Sequence, residues 1–283
     1  MGSVIVLFAN RSIAQITPDS TLPNNSNVRL EDNTRVIEGG TTRDANLFHS
    51  FSEFSVPTNS TAFFNNAANI QNILTRVTGG SISNINGIIK ANGTANLFLI
   101  NPNGIIFGQN ARLDIGGSFV ASTASAIKFK DGFEFSAKNP QSAPLLTITA
   151  PVGLGLGNNP EEIKVNGLGH DIAYNEIKEA QPRPRVTSGV PGLEVQEGKT
   201  LALVGGKVFL EGGILKSSEG RIEIGSVGNG TVSLVPVAEG WKLSYQGMTN
   251  FEDIQFSGKT FVDTTGDGGG FIAIAGKDIN ITG

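Results

Sequence analysis

Cysteine is absent from the 283 residues, which removes disulfides, thiolate metal sites and thiol nucleophiles together. The absence suits a chain that crosses an oxidising compartment unfolded, because no covalent bond can lock it early. Only His49 and His170 supply imidazoles, far apart in sequence, and no nucleophile elbow or triad signature accompanies either. Both read as packed or surface side chains, His49 among Leu47, Phe48 and Phe51. Charged residues are 16% of the chain, below the usual share of about 25%. The formal charge is −4 and Lys and Arg are scattered without a basic block, so nucleic acid is not an expected partner. No apolar run is long enough to cross a bilayer as a helix.

Glycine is abundant instead, at 37 residues. In residues 81–129, short apolar runs (Ile88-Ile89, Leu97-Phe98-Leu99-Ile100, Ile105-Ile106-Phe107, Leu113, Ile115, Phe119-Val120-Ala121) alternate with Asn, Gly and Pro. Strand-length segments so punctuated predict an all-β chain of many short strands. The consecutive apolar residues of 97–100 predict burial on both strand faces, as an extra layer over a coil would give. Between two such strands, Asn101-Pro102-Asn103-Gly104 suits a type I turn: Asn first, Pro second with φ preset, Gly fourth.

Weak repetition in residues 201–227, where Gly205, Gly206, Gly212, Gly213, Gly220 and Gly225 recur at short intervals, extends the pattern. Three strands and three turns per coil need roughly 20 to 25 residues, a solenoid period. The expected fold is therefore a right-handed parallel β-helix, the hand following the crossover rule, in a rod roughly 50 Å long.

The stretch NGTANLFLINPNGIIFG, with FFNNAANIQNILTRVTGG upstream and GGSFVAST downstream, resembles the amino-terminal secretion domain of two-partner-secretion exoproteins of the filamentous haemagglutinin type, most of all cyanobacterial members. The resemblance covers nearly everything from Gln15 onward. It implies a secretion signal and folding-nucleation module of a large exoprotein, secreted or held at the cell surface. It also implies passage through the inner-membrane export machinery into the periplasm, and recognition by a dedicated outer-membrane β-barrel transporter with periplasmic recognition domains. No cofactor is implied, and a monomer is expected. In that family the motif Asn-Pro-Asn-Gly-Ile is needed for secretion; here it falls on Asn101, Pro102, Asn103, Gly104 and Ile105. A rigid turn there serves folding, recognition by the transporter, or both. The family's second motif, Asn-Pro-Asn-Leu, is not intact, and Asn139-Pro140-Gln141 is its nearest trace.

Along the chain, residues 1–14 read as a signal-peptide remnant or an added tail, with Ser12-Ile13-Ala14 as a small-residue cleavage site; a first β-strand is the alternative. Residues 15–283 form the β-helix domain. Its polar, turn-rich start, 15–46, reads as a cap over an otherwise open edge. Strands are expected at 47–51, 54–56, 62–64 and 70–77, although AANIQNILTRV in 67–77 also passes for a short helix.

Residues 136–191 hold Pro140, Pro144, Pro151, Pro160, Pro182, Pro184 and Pro191 and read as an excursion from the rod, since proline cannot donate to a ladder. Within it, 145–149 and 163–165 are expected to pair as extra-helical strands and 173–185 to form an exposed loop. Coils resume at Leu193 and run through 242–245, 260–262 and 271–274. Residues 278–283 read as a coil in progress, the mark of a fragment of a longer solenoid.

Two other functions compete: a carbohydrate-acting β-helix enzyme, since that fold hosts such enzymes, and a glycan-binding adhesin module. An enzyme needs opposed carboxylates around the scissile bond. Gly169-His170-Asp171 lacks paired acids nearby, and Asp131, Glu211, Glu219, Glu252 and Asp253 fall beside turns. One Trp and 7% aromatics give little for sugars to stack on. Residues 263–270 (DTTGDGGG) imitate a calcium loop, yet the motif occurs once where the calcium solenoid repeats it, so no metal is expected. The recurring Asn65, Asn66, Asn84, Asn86, Asn92, Asn96, Asn101 and Asn103 suit turns or ladders between coils.

Overall fold

The computed structural model describes residues 15–140, 147–171, 192–238 and 240–283. Every regular element among them is a strand. The amino end carries β1 (Ile16–Pro18), β2 (Ser26–Glu31), β3 (Thr34–Gly39) and β4 (Thr41–Arg43). Then come β5 (Asn46–Phe54), β6 (Thr61–Phe64), β7 (Asn72–Val77), β8 (Ser83–Ile85), β9 (Ile88–Ala91), β10 (Asn96–Ile100), β11 (Ile105–Phe107), β12 (Arg112–Asp114) and β13 (Phe119–Ser122). After β14 (Ala126–Phe129), β15 (Glu134–Ser136) and β16 (Pro151–Leu156) follow β17 (Ile163–Asn166), β18 (Leu193–Glu194), β19 (Thr200–Gly205), β20 (Val208–Glu211), β21 (Ile214–Lys216) and β22 (Arg221–Ser226). The chain continues with β23 (Gly230–Val237), β24 (Gly240–Ser244), β25 (Ile254–Ser257), β26 (Phe261–Asp263), β27 (Phe271–Ala275) and β28 (Ile279–Ile281).

These strands wind into a parallel β-helix. One side is the ladder β5-β7-β10-β13-β19-β22-β27, a second is β8-β11-β17-β20-β25-β28, and the third is β3-β6-β9-β12 followed by β18-β21-β26. At the amino end the parallel pattern stops: β4 and β1 both run antiparallel to β5, against Asn46–Phe48 and Phe51–Phe54 in turn, and β2 runs antiparallel to β3. The outer edge of the first coil is thereby paired within the chain, which removes a template for foreign strands.

The chain leaves the helix twice, both times after a strand of the first ladder. The excursions β14 to β16 and β23 to β24 meet in one antiparallel sheet, ordered β15-β14-β16-β23-β24. That sheet lies over the first ladder and creates a second core. Along the ladder, Leu47, Ile73, Leu97, Leu99, Phe119, Leu201 and Leu203 face the rod interior. Their neighbours Phe48, Leu74, Phe98, Ile100, Val120, Ala202 and Val204 face Ile127, Phe135, Leu154, Val232 and Trp241 of the flanking sheet. Consecutive apolar residues are the sequence signature of this two-sided burial.

The structure decides one open assignment and corrects two others. Residues 72–77 form a fully buried strand, not a helix, because parallel partners on both sides, β5 and β10, bind its backbone. Ile163 and Val165 do not lie on the flank: β17 pairs in parallel with β11 and β20 inside the rod, and no proline falls within it. Conversely, 242–245 is no coil; β24 closes the flanking sheet antiparallel to β23, Trp241 and Leu243 buried beneath exposed Lys242. Of the expected extra-helical strand at 145–149, residues 147–149 are irregular; residues 145–146, the tail 1–14 and the loop 173–185 lie outside the described residues.

Phe119 is fully buried with its ring edge-on to Phe107 at 6.1 Å, so Phe119→Ala is expected to cost about 3–5 kcal/mol, read as a fall in the urea midpoint. Leu30→Ala, at a side chain 66% exposed, is expected to change it by no more than about 0.5 kcal/mol.

Candidate functional site

Residues 101–105 occupy the corner where the chain passes from the two-faced ladder (β10) to the second side (β11). Gly104 N–H donates to the Asn101 carbonyl at 3.1 Å, closing the four-residue turn, and Asn103 N–H donates to Asn101 Oδ1 at 2.9 Å. Gly104 sits at φ +112°, a region that side-chain-bearing residues avoid. The turn chemistry expected from Asn, Pro and Gly is therefore realised.

Burial adds what the turn alone does not require. Asn101 is fully buried, and its amide donates to Ser81 O at 3.0 Å and Ser83 Oγ at 2.9 Å in the preceding coil. Its Oδ1 accepts from both Asn103 N–H and Asn103 Nδ2, and its backbone N–H donates to Ser122 O in the following coil. All four hydrogen-bonding positions of the side chain are thus used, and one residue holds three coils in register. Asn103 donates through Nδ2 to Gly79 O at 2.6 Å. Ile105, also fully buried, pairs with Ser83 below and Ile163 above.

A second line of amides marks the opposite end of the same ladder. Asn96 Nδ2 donates to Asn72 Oδ1, and Asn72 Nδ2 to Asn46 Oδ1, at 3.1 and 3.0 Å. Ser118 N–H then donates to Asn96 Oδ1, and the successive spacings are 26, 24 and 22 residues. Asn66 and Asn92 form a comparable contact on another corner. The ladders foreseen for the asparagines exist, and their shortening period measures the coil.

Near the amino end a polar cluster escaped the sequence reading. Asp19 accepts from Thr21, Ser50 and Thr78 hydroxyls at 2.6 to 2.7 Å. Burial pushes its carboxyl up, but those hydrogen bonds outweigh burial and hold it below its ordinary value. Arg76, 4% exposed, bonds Ser50 and Thr21 from the other side. Burial lowers its pKa to about 10, opposed by Asp19, so the guanidinium stays charged at neutral pH. The one sequence signal for it was a lone cation in the apolar run Ile73-Leu74-Thr75-Arg76-Val77.

The other candidates do not assemble a reaction centre. His49 lies inside the first coil between Phe51 and Phe64, its Nδ1 2.9 Å from Ser26 Oγ, while the His170 ring meets Phe261 edge-on. At the loop after β26, Asp267 and Gly268 N–H donate to Glu219 of the turn before β22, and Thr265 N–H donates to Asp263, so these carboxylates bind backbone amides. Among the described residues no three His, Cys, Asp or Glu side chains cluster as metal ligands would.

Desolvation lowers the His49 pKa to about 3 from an ordinary 6.5. Between these values the unfolded chain binds the proton and the folded chain does not, so stability rises with pH and is lost as pH falls below 6.5. The slope is at most about 1.4 kcal/mol per pH unit. Thermal melts of wild type and His49→Leu from pH 7 to pH 4.5 are expected to show a steeper decline for wild type. The difference isolates His49 from Glu223, whose carboxyl burial raises and which acts with opposite sign.

Comparison with known proteins agrees with this architecture. A search of curated proteins gives no match. Among solved structures, the HMW1 secretion domain from Haemophilus influenzae is similar with a TM-score of 0.58 at 20% identity, over 94% of this chain and 57% of that one. This chain thus spans little more than half the length of that relative. A filamentous hemagglutinin secretion domain matches at 13% identity and a TM-score of 0.40, over 95% of this chain and 99% of that one. The family described as TPS secretion domain matches residues 14–274. With nearly its whole length matched, the chain belongs to the TPS secretion domain family, and it is the secretion module of a two-partner-secretion exoprotein.

Proposed function

We propose that residues 101–105 act in secretion by setting the fold of the first coils as the chain emerges from its transporter. A TPS secretion domain has a dedicated outer-membrane transporter as partner, and its exoprotein reaches that partner through the periplasm. The observation that carries the proposal is the fully buried, fully bonded Asn101, whose side chain and backbone join three successive coils.

In the folded domain Asn101, Pro102, Gly104 and Ile105 are all buried, leaving Asn103 alone partly accessible. Side chains so enclosed offer little to a receptor after folding. The transporter's periplasmic domains therefore read this stretch while it is extended, by adding a strand to a sheet edge, and the turn does its work outside. Delivery to the periplasm is by the inner-membrane export machinery, and the domain travels as a monomer. Once the amino-terminal coils close under the 15–46 cap, each later coil pairs with a ready-made edge, so folding draws the chain outward.

The test is co-expression with the partner barrel, scoring folded protein outside the cell. Export is expected to need the barrel, and equal export without it ends the proposal. Asn101→Ala leaves Ser81 O and the Asn103 amide without their partner and is expected to cost about 2–4 kcal/mol, read in the urea midpoint of purified protein. Exported folded protein is expected to fall about tenfold with it.

A further inference from the structure

Arg76 stands on the outward face of β7, on the same side as Leu74, in a layer otherwise filled by Phe48, Phe98, Val120 and the flanking sheet. Its register neighbours are Ser50 on β5 and Ile100 on β10, the residue before Asn101. The guanidinium uses four donor directions on three separate parts of the chain. Nε donates to Ser50 Oγ at 2.9 Å in the first coil, and one terminal nitrogen donates to Thr21 Oγ1 at 2.8 Å in the cap. Toward the excursion it donates to Ser136 O at 2.8 Å and Pro140 O at 3.3 Å, and its carbon lies 4.3 Å from the centroid of the Phe135 ring.

Asp19 completes the arrangement from behind. Its carboxylate does not need to touch the guanidinium, because Thr21 and Ser50 accept from Arg76 while donating to Asp19. Thr78 donates to the same carboxylate, and the next residue, Gly79, accepts from Asn103. A cleft of about 260 Å³ lies between Thr78, Gly79, Pro102 and Asn103 on one side and Ala137 and Lys138 on the other. Both asparagine-proline stretches, 101–102 and 139–140, thus approach one polar node from opposite sides.

We infer that Arg76 is the positioning residue of an interlock with Asp19 that makes docking of the flanking sheet conditional on closure of the amino-terminal cap. The reason is the cost of covering a cation. Before β14 and β15 dock, Arg76 faces water. Laying Phe135 and the apolar flank over it removes that water; Ser50 Oγ, Ser136 O and Pro140 O still accept from it, but without the cap the covered cation lacks its counter-charge and the Thr21 acceptor, which is unfavourable. Asp19 and Thr21 arrive only with the cap. Closure of the cap therefore comes first, and Leu22 of the cap then forms the end wall of the second core.

Hydrogen exchange on the purified chain tests this without any transporter. In Asp19→Asn, which alters only the cap side and keeps the side-chain shape, exchange is expected to quicken about tenfold or more in β1 and also in β14 and β15, with β20 and β21 unchanged. Arg76→Lys, which keeps the charge but lacks the fork of donors, is expected to do the same. Exchange quickened in β1 alone for Asp19→Asn overturns the interlock. In refolding from urea with pulsed exchange, β1 amides are expected to gain protection no later than those of β14 and β15; protection of the flank ahead of the cap equally overturns it.

Discussion

Burial of one parallel ladder on both faces is the constraint on which the architecture depends. A strand whose alternate side chains are all apolar has no side to show to water, so the rod interior can satisfy only half of it. The chain meets the other half by leaving the helix after β13 and after β22 and bringing back strands that pair with each other over the ladder. Two cores result, one inside the coils and one outside, sharing the ladder strands β5, β7, β10, β13 and β19 as their common wall.

Apolar stacking by itself does not fix register, because coils of similar apolar sides could slide or slip. Register is carried at the corners by amides. Asn46, Asn72 and Asn96 form a line at one end of the ladder, and Asn101 with Asn103 locks the other. Each is satisfied by groups from neighbouring coils, so a misaligned coil leaves several polar groups unpaired, a far larger penalty than the mean worth of a hydrogen bond. The turn at 101–104 is thus continuous with the device that aligns the earlier coils.

Residues outside the motif show how the amino end differs from the body. The antiparallel β1 and β4 end the ladder, His49 and the Phe51, Phe54 and Phe64 rings fill the first coil, and Asp19 and Arg76 join cap, coil and flank. An edge paired in register for later coils exists once this end has formed.

The sequence by itself determined the strand-length runs, the turn at 101–104, the coil period and, through consecutive apolar positions, the existence of a layer over the rod; these are local patterns that backbone geometry and side-chain hydropathy dictate within a few residues. It misplaced the members of that layer. Ile163 and Val165 look like any short strand, as do Trp241 and Leu243, and only pairing partners distant in the chain decide which enters a coil and which covers one. Residues 67–77 allowed helix as well as strand because an isolated apolar run carries either period, and the flanking strands β5 and β10 settle the matter. Tertiary structure alone created the Asp19–Arg76 node, since the charges are 57 positions apart by number and meet through hydroxyls that no sequence spacing brings together.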